Sequence, residues 1–131
     1  MINNVVLVGR IVEEPTLKKF ESDLRGTFIT LAVSRPFKNY DNQIETDFIR
    51  VAVWEGMADN VCAYCHKGDL IGVRGRIASR SLEVKLKEST DFIKINALDI
   101  IGERIAFLSS AKKKTEFDDS AEFNDIDKKE A

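Results

Sequence analysis

Histidine and cysteine are scarce in this chain, which has one histidine and two cysteines among 131 residues. A closed zinc site needs four ligands, and these three side chains fall short of that. His66, the only histidine, is expected to be a polar helix-end residue with no partner for a catalytic triad. Cysteines three residues apart make no disulfide framework. Long apolar runs are missing too: no stretch of about 18 such residues exists, so no helix is expected to span a membrane. The opening MINNVVLVGR lacks the basic start, apolar block and cleavage site of a secretory signal. The expectation is a cytoplasmic, single-domain protein with no cofactor, no metal and no membrane partner.

One motif runs against that expectation. Cys62-Ala-Tyr-Cys65-His66 is formally the C-x-x-C-H string that attaches haem, and C-x-x-C can bind metal or do redox chemistry. Haem attachment requires export, however, and both cysteines lie on the apolar side of an expected helix, where free cysteine behaves as a small hydrophobe.

Charge is unevenly spread. Residues 115–131 carry seven acidic and two basic side chains, whereas the rest of the chain carries 18 basic and 15 acidic ones. A mildly basic body with an acidic tail suggests a polyanionic partner for the body. A net charge of only +3 on that body makes the distribution, not the total, decisive.

Alternation dominates the first hundred residues. Strands are expected at Val5–Val12, with a bend at Gly9; at Thr27–Ser34, ended by Arg35-Pro36; at Thr46–Trp54; at Asp69–Leu82, with Gly72 and Gly75 where a tightly curved sheet needs them; and at Phe92–Ile101. Between the third and fourth, Met57, Ala58, Val61, Cys62 and Cys65 recur at helical spacing, giving a helix over Met57–Lys67 that Gly68 stops. Five strands with one helix in that place form an all-β, five-stranded OB-fold barrel. Residues 1–108 make the domain. Residues 109–131 lose all period and are expected to be a disordered acidic tail.

The third strand, TDFIRVAVW, raises the question of function. Ile49, Val51 and Val53 share a core face. The opposite face receives Phe48, Arg50, Ala52 and Trp54, the only tryptophan. On the fourth strand Arg74, Arg76, Arg80 and Leu82 share the face away from Ile71, Val73, Gly75 and Ile77, unless a bulge breaks the phase. Arg35 and Phe37 extend the same chemistry into the following loop. Aromatic rings spaced along a cationic track suit single-stranded nucleic acid held without reading sequence, because every base has a π-face and every nucleotide a phosphate. The pattern does not separate DNA from RNA, so an OB-fold RNA-binding or primosome-type accessory module remains the alternative.

The segments NNVVLVGRIVEEPTLK, GTFITLAVSRPFK and ETDFIRVAVWEGMADNVCAYCHKGDLIGVRGRIASRSL, with the closing AFL, resemble the bacterial single-stranded DNA-binding proteins over about residues 1–108. In combination, T-D-F-I-x-V-x-V-W, a helix ending in K-G, and G-R-x-x-x-R-S are specific to that family. The resemblance implies a non-enzymatic, homotetrameric OB-fold protein that binds single-stranded DNA in replication, recombination and repair, at the nucleoid. It implies base stacking by Phe37, Phe48 and Trp54, and backbone contacts from Arg10, Lys18, Arg35, Arg50, Lys67, Arg76 and Arg80. Two departures stand out. Leu82 occupies a position where the family usually has an aromatic, which removes a π-face. The acidic stretch EFDDSAEFNDIDKKEA also ends without the Pro-Phe that replication and repair proteins grip in the family, so such partners are expected only if another feature recruits them.

Overall fold

Inward-facing valine, isoleucine and leucine on alternate positions of long strands can be buried together only if the sheet curls onto itself. In the computed structural model, which describes residues 1–88 and 90–111, the chain runs β1 (Val5–Ile11), β2 (Lys18–Lys19), β3 (Arg25–Lys38), β4 (Ile44–Trp54), α1 (Glu55–Tyr64), β5 (Leu70–Lys85) and β6 (Phe92–Ser109). Nearly all of the expected tail, residues 112–131, lies outside the described residues.

The strand order β1-β5-β6-β4-β3 closes through a second pairing of β1 with β3. This is the expected five-stranded OB-fold barrel, with its helix between β4 and β5. β1 makes the closure by changing partner along its length. Val5 to Arg10 pair with β5, whereas Arg10 and Ile11 pair with Ala32 and Leu31 of β3. The other narrow seam is the parallel contact of β4 with β6, Val51 opposite Ile100 and Ala52 opposite Ile101. The short β2 pairs with the start of β3, Lys18 opposite Gly26 and Lys19 opposite Arg25. A two-residue strand carries too little pattern to be visible in a sequence.

The core consists of Ile11, Ile29, Leu31, Val51, Val53, Ile71 and Val73 inside the barrel, capped by Ala58, Val61 and Cys65 from α1 and the residue after it. Burial of each such aliphatic side chain stabilises the fold by about 1.5–3 kcal/mol. Cys65 is thus a core residue, and burial pushes the thiols of both Cys62 and Cys65 up from their ordinary value.

Beside strands that run longer than expected, above all β6, which reaches Ser109 instead of Ile101, three boundaries differ from expectation for identifiable reasons. α1 starts at Glu55, whose φ of 52° turns the chain sharply out of β4. Arg25 fastens that turn, its backbone N–H donating to Glu55 Oε2 at 3.1 Å and its guanidinium pairing with Asp59 at 2.9 Å. The helix ends at Tyr64, not Lys67, because the next residues form a separate turn. There the His66 N–H donates to Asp69 Oδ2 (2.8 Å), and the Gly68 N–H donates to the Ile11 carbonyl (2.8 Å). Finally, β3 continues past Arg35-Pro36 to Lys38, since its pairing with β4 becomes irregular between Ser34 and Lys38 and leaves a place for a residue without an N–H.

The phase of β5 survives. Its pairing with β6 shifts twice, at Leu70/Ile71 and at Arg74/Gly75, but the unpaired residues, Leu108 and Glu103, belong to β6. Beside the second bulge, a Cβ at Gly75 would run into the Ile101 carbonyl oxygen of the neighbouring strand. Backbone cannot give way there as the tip of a side chain would. Gly75→Ala should destabilise the protein by about 1–3 kcal/mol, the usual range for overpacking, as measured by urea denaturation. An unchanged midpoint would show that the β5–β6 bulge does not need glycine.

Candidate nucleic-acid interface

The pairing of β3 with β4 runs without interruption from Gly26 opposite Trp54 to Ser34 opposite Thr46. Partners in register share a face. Ile29, Leu31, Val51 and Val53 are fully buried on the inside, so Phe28, Thr30, Ala32 and Ser34 point outward together with Ala52, Arg50, Phe48 and Thr46. The outer face of this ladder is therefore a row of aromatic and cationic side chains about 20 Å long at roughly 3.3 Å per residue.

Trp54 begins the row. Its indole lies against Gly26, where an added Cβ would come within 2.5 Å of the ring atom Cε3, and Phe20 meets it edge-on with centroids 5.3 Å apart. Next come Phe28 and Arg50, whose guanidinium carbon stands 4.2 Å from the centroid of the Phe28 ring. Phe48 follows, 66% exposed, and Phe37 near the end of the β3–β4 hairpin is 61% exposed. Phe48, Arg50 and Trp54 thus occupy the outward face expected of them. Phe20 and Phe28 were not foreseen. Phe28 carried a signal nonetheless, because it shares parity with Thr30, Ala32 and Ser34 and opposes the apolar set of β3.

The cations divide into two groups. Lys18 on β2 and Arg50 on β4 form no ion pair among the described residues. Arg10, opposite Ala32 and so in line with Phe48, donates through Nη1 to the Gly68 carbonyl at 3.1 Å. The Lys67 backbone N–H donates to Glu14 Oε1 at 3.0 Å, which ties the β1–β2 connection to the end of α1. The same carboxylate meets His66 Nδ1 at 2.8 Å, and these contacts hold Glu14 below the usual carboxylate range.

Arg35, Arg76 and Arg80 are held by acids. Arg35 reaches Asp47 at 2.9 Å and Glu45 at 2.8 Å, and so braces the hairpin that carries Phe37. Arg76 pairs with Glu103 at 3.2 Å, on the bulge of β6. Arg80 Nε donates to Asp99 Oδ2 at 2.5 Å. Its hydrogen bond to Arg80 holds the Asp99 carboxyl below its ordinary value, with a further contribution from the charge of Arg50. Asp99 therefore sits between the cation of β4 and that of β5. Leu82 lies farther along the same face of β5, opposite Ile95, on a ribbon of β5 and β6 exposed on both faces.

Residues 2–108 match the model of the single-strand binding protein family. Single-stranded DNA-binding protein B of Bacillus subtilis (strain 168) is 34% identical over 108 residues, covering 82% of this chain and 91% of that protein. Single-stranded DNA-binding protein 3 of Listeria innocua is 39% identical over 110 residues, covering 84% of this chain and 66% of its own length. Among solved structures, one described as Plasmodium falciparum SSB complex with ssDNA superposes with a TM-score of 0.66 over 83% of this chain and 96% of that one. At 22% identity that likeness speaks to the fold.

An anion that uses Arg80 must displace Asp99. Asp99→Asn should therefore raise affinity for a polyanion at low salt and steepen the decline of log affinity with log salt by up to about 0.7, one further phosphate contact. Binding isotherms at several salt concentrations check this, and an unchanged slope would place Arg80 outside the binding track.

Proposed function

We propose, from the premise that the chain belongs to the single-strand binding protein family, that it binds and shields single-stranded DNA without reading its sequence. It acts by binding and not by catalysis. The observation that carries this reading is the outer face of β3 and β4, where rings stand exposed at intervals along a strand whose opposite side is core. Bases stack on Trp54, Phe48, Phe28 and Phe37. Lys18, Arg50, Arg10 and Lys67 hold the backbone, while Arg76, Arg80 and Arg35 join it as phosphates exchange with their carboxylate partners. Stacking supplies affinity that is tolerant of sequence, and the cations supply affinity that salt screens.

The setting follows from the ligand. Replication, recombination and repair expose single strands, and the protein acts there, on nucleoid DNA in the cytoplasm. No helix among the described residues is long and apolar enough to cross a membrane. The protein works as a homotetramer. Support comes from the outer side of β1, where Val6 and Val8 are 65% and 51% exposed and offer apolar surface to a second copy. Replication and repair proteins are further partners only where a feature other than a Pro-Phe ending recruits them. The acidic stretch that family members use for them falls here within residues 112–131, outside the described residues.

Trp54→Ala and Phe48→Ala should each weaken binding of a labelled dT oligomer roughly 5- to 150-fold, from about 1–3 kcal/mol per stacked base, without loss of fold by circular dichroism. Wild-type affinity in the folded variants would refute the stacking role. The same titration of a native protein whose only tryptophan is Trp54 should show a fluorescence change on binding.

Leu82 gives the converse test. It shares its face with Arg76 and Arg80, so Leu82→Tyr should tighten binding of the same oligomer by up to about tenfold. No gain would mean that the track ends before the β5–β6 ribbon.

A further inference from the structure

Where the connection from β1 to β2 folds over the outer face of β3, it leaves a cleft of about 200 Å³. Phe28, Thr30 and Arg50 form its floor, Glu13 and Glu14 its wall, and Lys18 approaches from β2. A hydrogen bond from Thr27 Oγ1 to the Thr16 carbonyl, 2.7 Å long, fixes the connection against the sheet.

The two acids differ in what they are free to do. Both oxygens of Glu14 are taken, one by His66 and the other by the Lys67 N–H. The Glu13 carboxylate has no partner among the described residues. Lys18 and Arg50 balance the two acids of the cleft, so a phosphate held by these cations leaves its base, edge first, facing Glu13. The floor suits a base, since the Arg50 guanidinium lies on the Phe28 ring and offers a flat surface on which a base can stack.

A carboxylate only accepts hydrogen bonds. Cytosine, adenine and guanine each carry an exocyclic amino group that can donate to it, whereas the one edge donor of thymine, N3–H, lies between two carbonyl oxygens that face the second carboxylate oxygen and oppose it. Lys18 and the Thr30 hydroxyl can donate to a neighbouring ring nitrogen or carbonyl.

We infer that this cleft is a base-edge subsite, in which Glu13 accepts a hydrogen bond from the amino group of one inserted base and favours dC, dA or dG over dT at that point of the track. The inference rests on the single-strand binding reading and refines it. The rest of the face takes any base, and this one position discriminates.

The test compares oligo-dC with oligo-dT of equal length on the full chain, by fluorescence anisotropy in mildly alkaline buffer. Glu13→Ala should weaken dC binding relative to dT by roughly fivefold or more, the low end for a base-edge contact. Glu13→Gln should do the same, since its amide can donate to a thymine carbonyl. If removal of the acid shifts both oligomers by the same factor, or shifts neither, Glu13 acts only through its charge or not at all, and the subsite is overturned while single-strand binding stands. A wild-type protein that binds neither oligomer overturns the single-strand reading, and the subsite falls with it.

Discussion

The unbroken pairing of β3 with β4 is the constraint on which the rest depends. Because side chains alternate, one choice of register places Ile29, Leu31, Val51 and Val53 in the core and, by the same act, turns Phe28, Phe48, Arg50 and Trp54 outward. A slip of one residue would send arginine and tryptophan inward and expose the aliphatic set, at several kilocalories per mole for each charge left buried without a partner. The binding face is thus specified by the core behind it. Stability and function share one ladder of hydrogen bonds, and the core that resists unfolding also fixes the aim of the rings.

Electrostatics supply a second layer. Arg35, Arg76 and Arg80 are each matched by a carboxylate of a neighbouring segment, and Asp99 and Asp47 are both held below their ordinary values by the arginines they meet. Such depressed carboxyls contribute stability above the ordinary aspartate range, and that contribution fades as pH falls through their lower folded values. Since these side chains are solvent-exposed pairs, their share in holding the fold is small. Their larger effect is on exchange: each arginine reaches a phosphate by trading one anion for another, which moderates affinity and keeps the surface from binding every polyanion indiscriminately.

Much of this was legible in the sequence, and the limits are physical. Alternation in TDFIRVAVW and in the Arg74–Leu82 segment gave the faces correctly, because a strand's period is set by the chain itself. The helix end was not legible, since the turn over His66–Asp69 depends on hydrogen bonds to Ile11, far away in the chain. Phe28 was overlooked because an aromatic among isoleucine, leucine and valine reads as core until its partner Ala52 shows which side it faces. Ion pairs such as Arg80 with Asp99 depend on how β5 and β6 are staggered, and the two bulges of β6 shift that stagger where periodicity is silent.

The rings of the face differ in how firmly they are seated. Trp54 rests in a notch that exists because residue 26 has no side chain, with Phe20 against its edge, and Phe28 is covered by Arg50. Phe48 and Phe37 are open to solvent. The first pair has already given up its rotational freedom on folding, so a base that lands there is not charged with ordering the ring; a base on Phe48 or Phe37 is. Grip is consequently graded along the row, firm at the Trp54 end and loose toward the hairpin. A strand held this way peels from the loose end first, leaving it reachable by another molecule while the firm end still holds on.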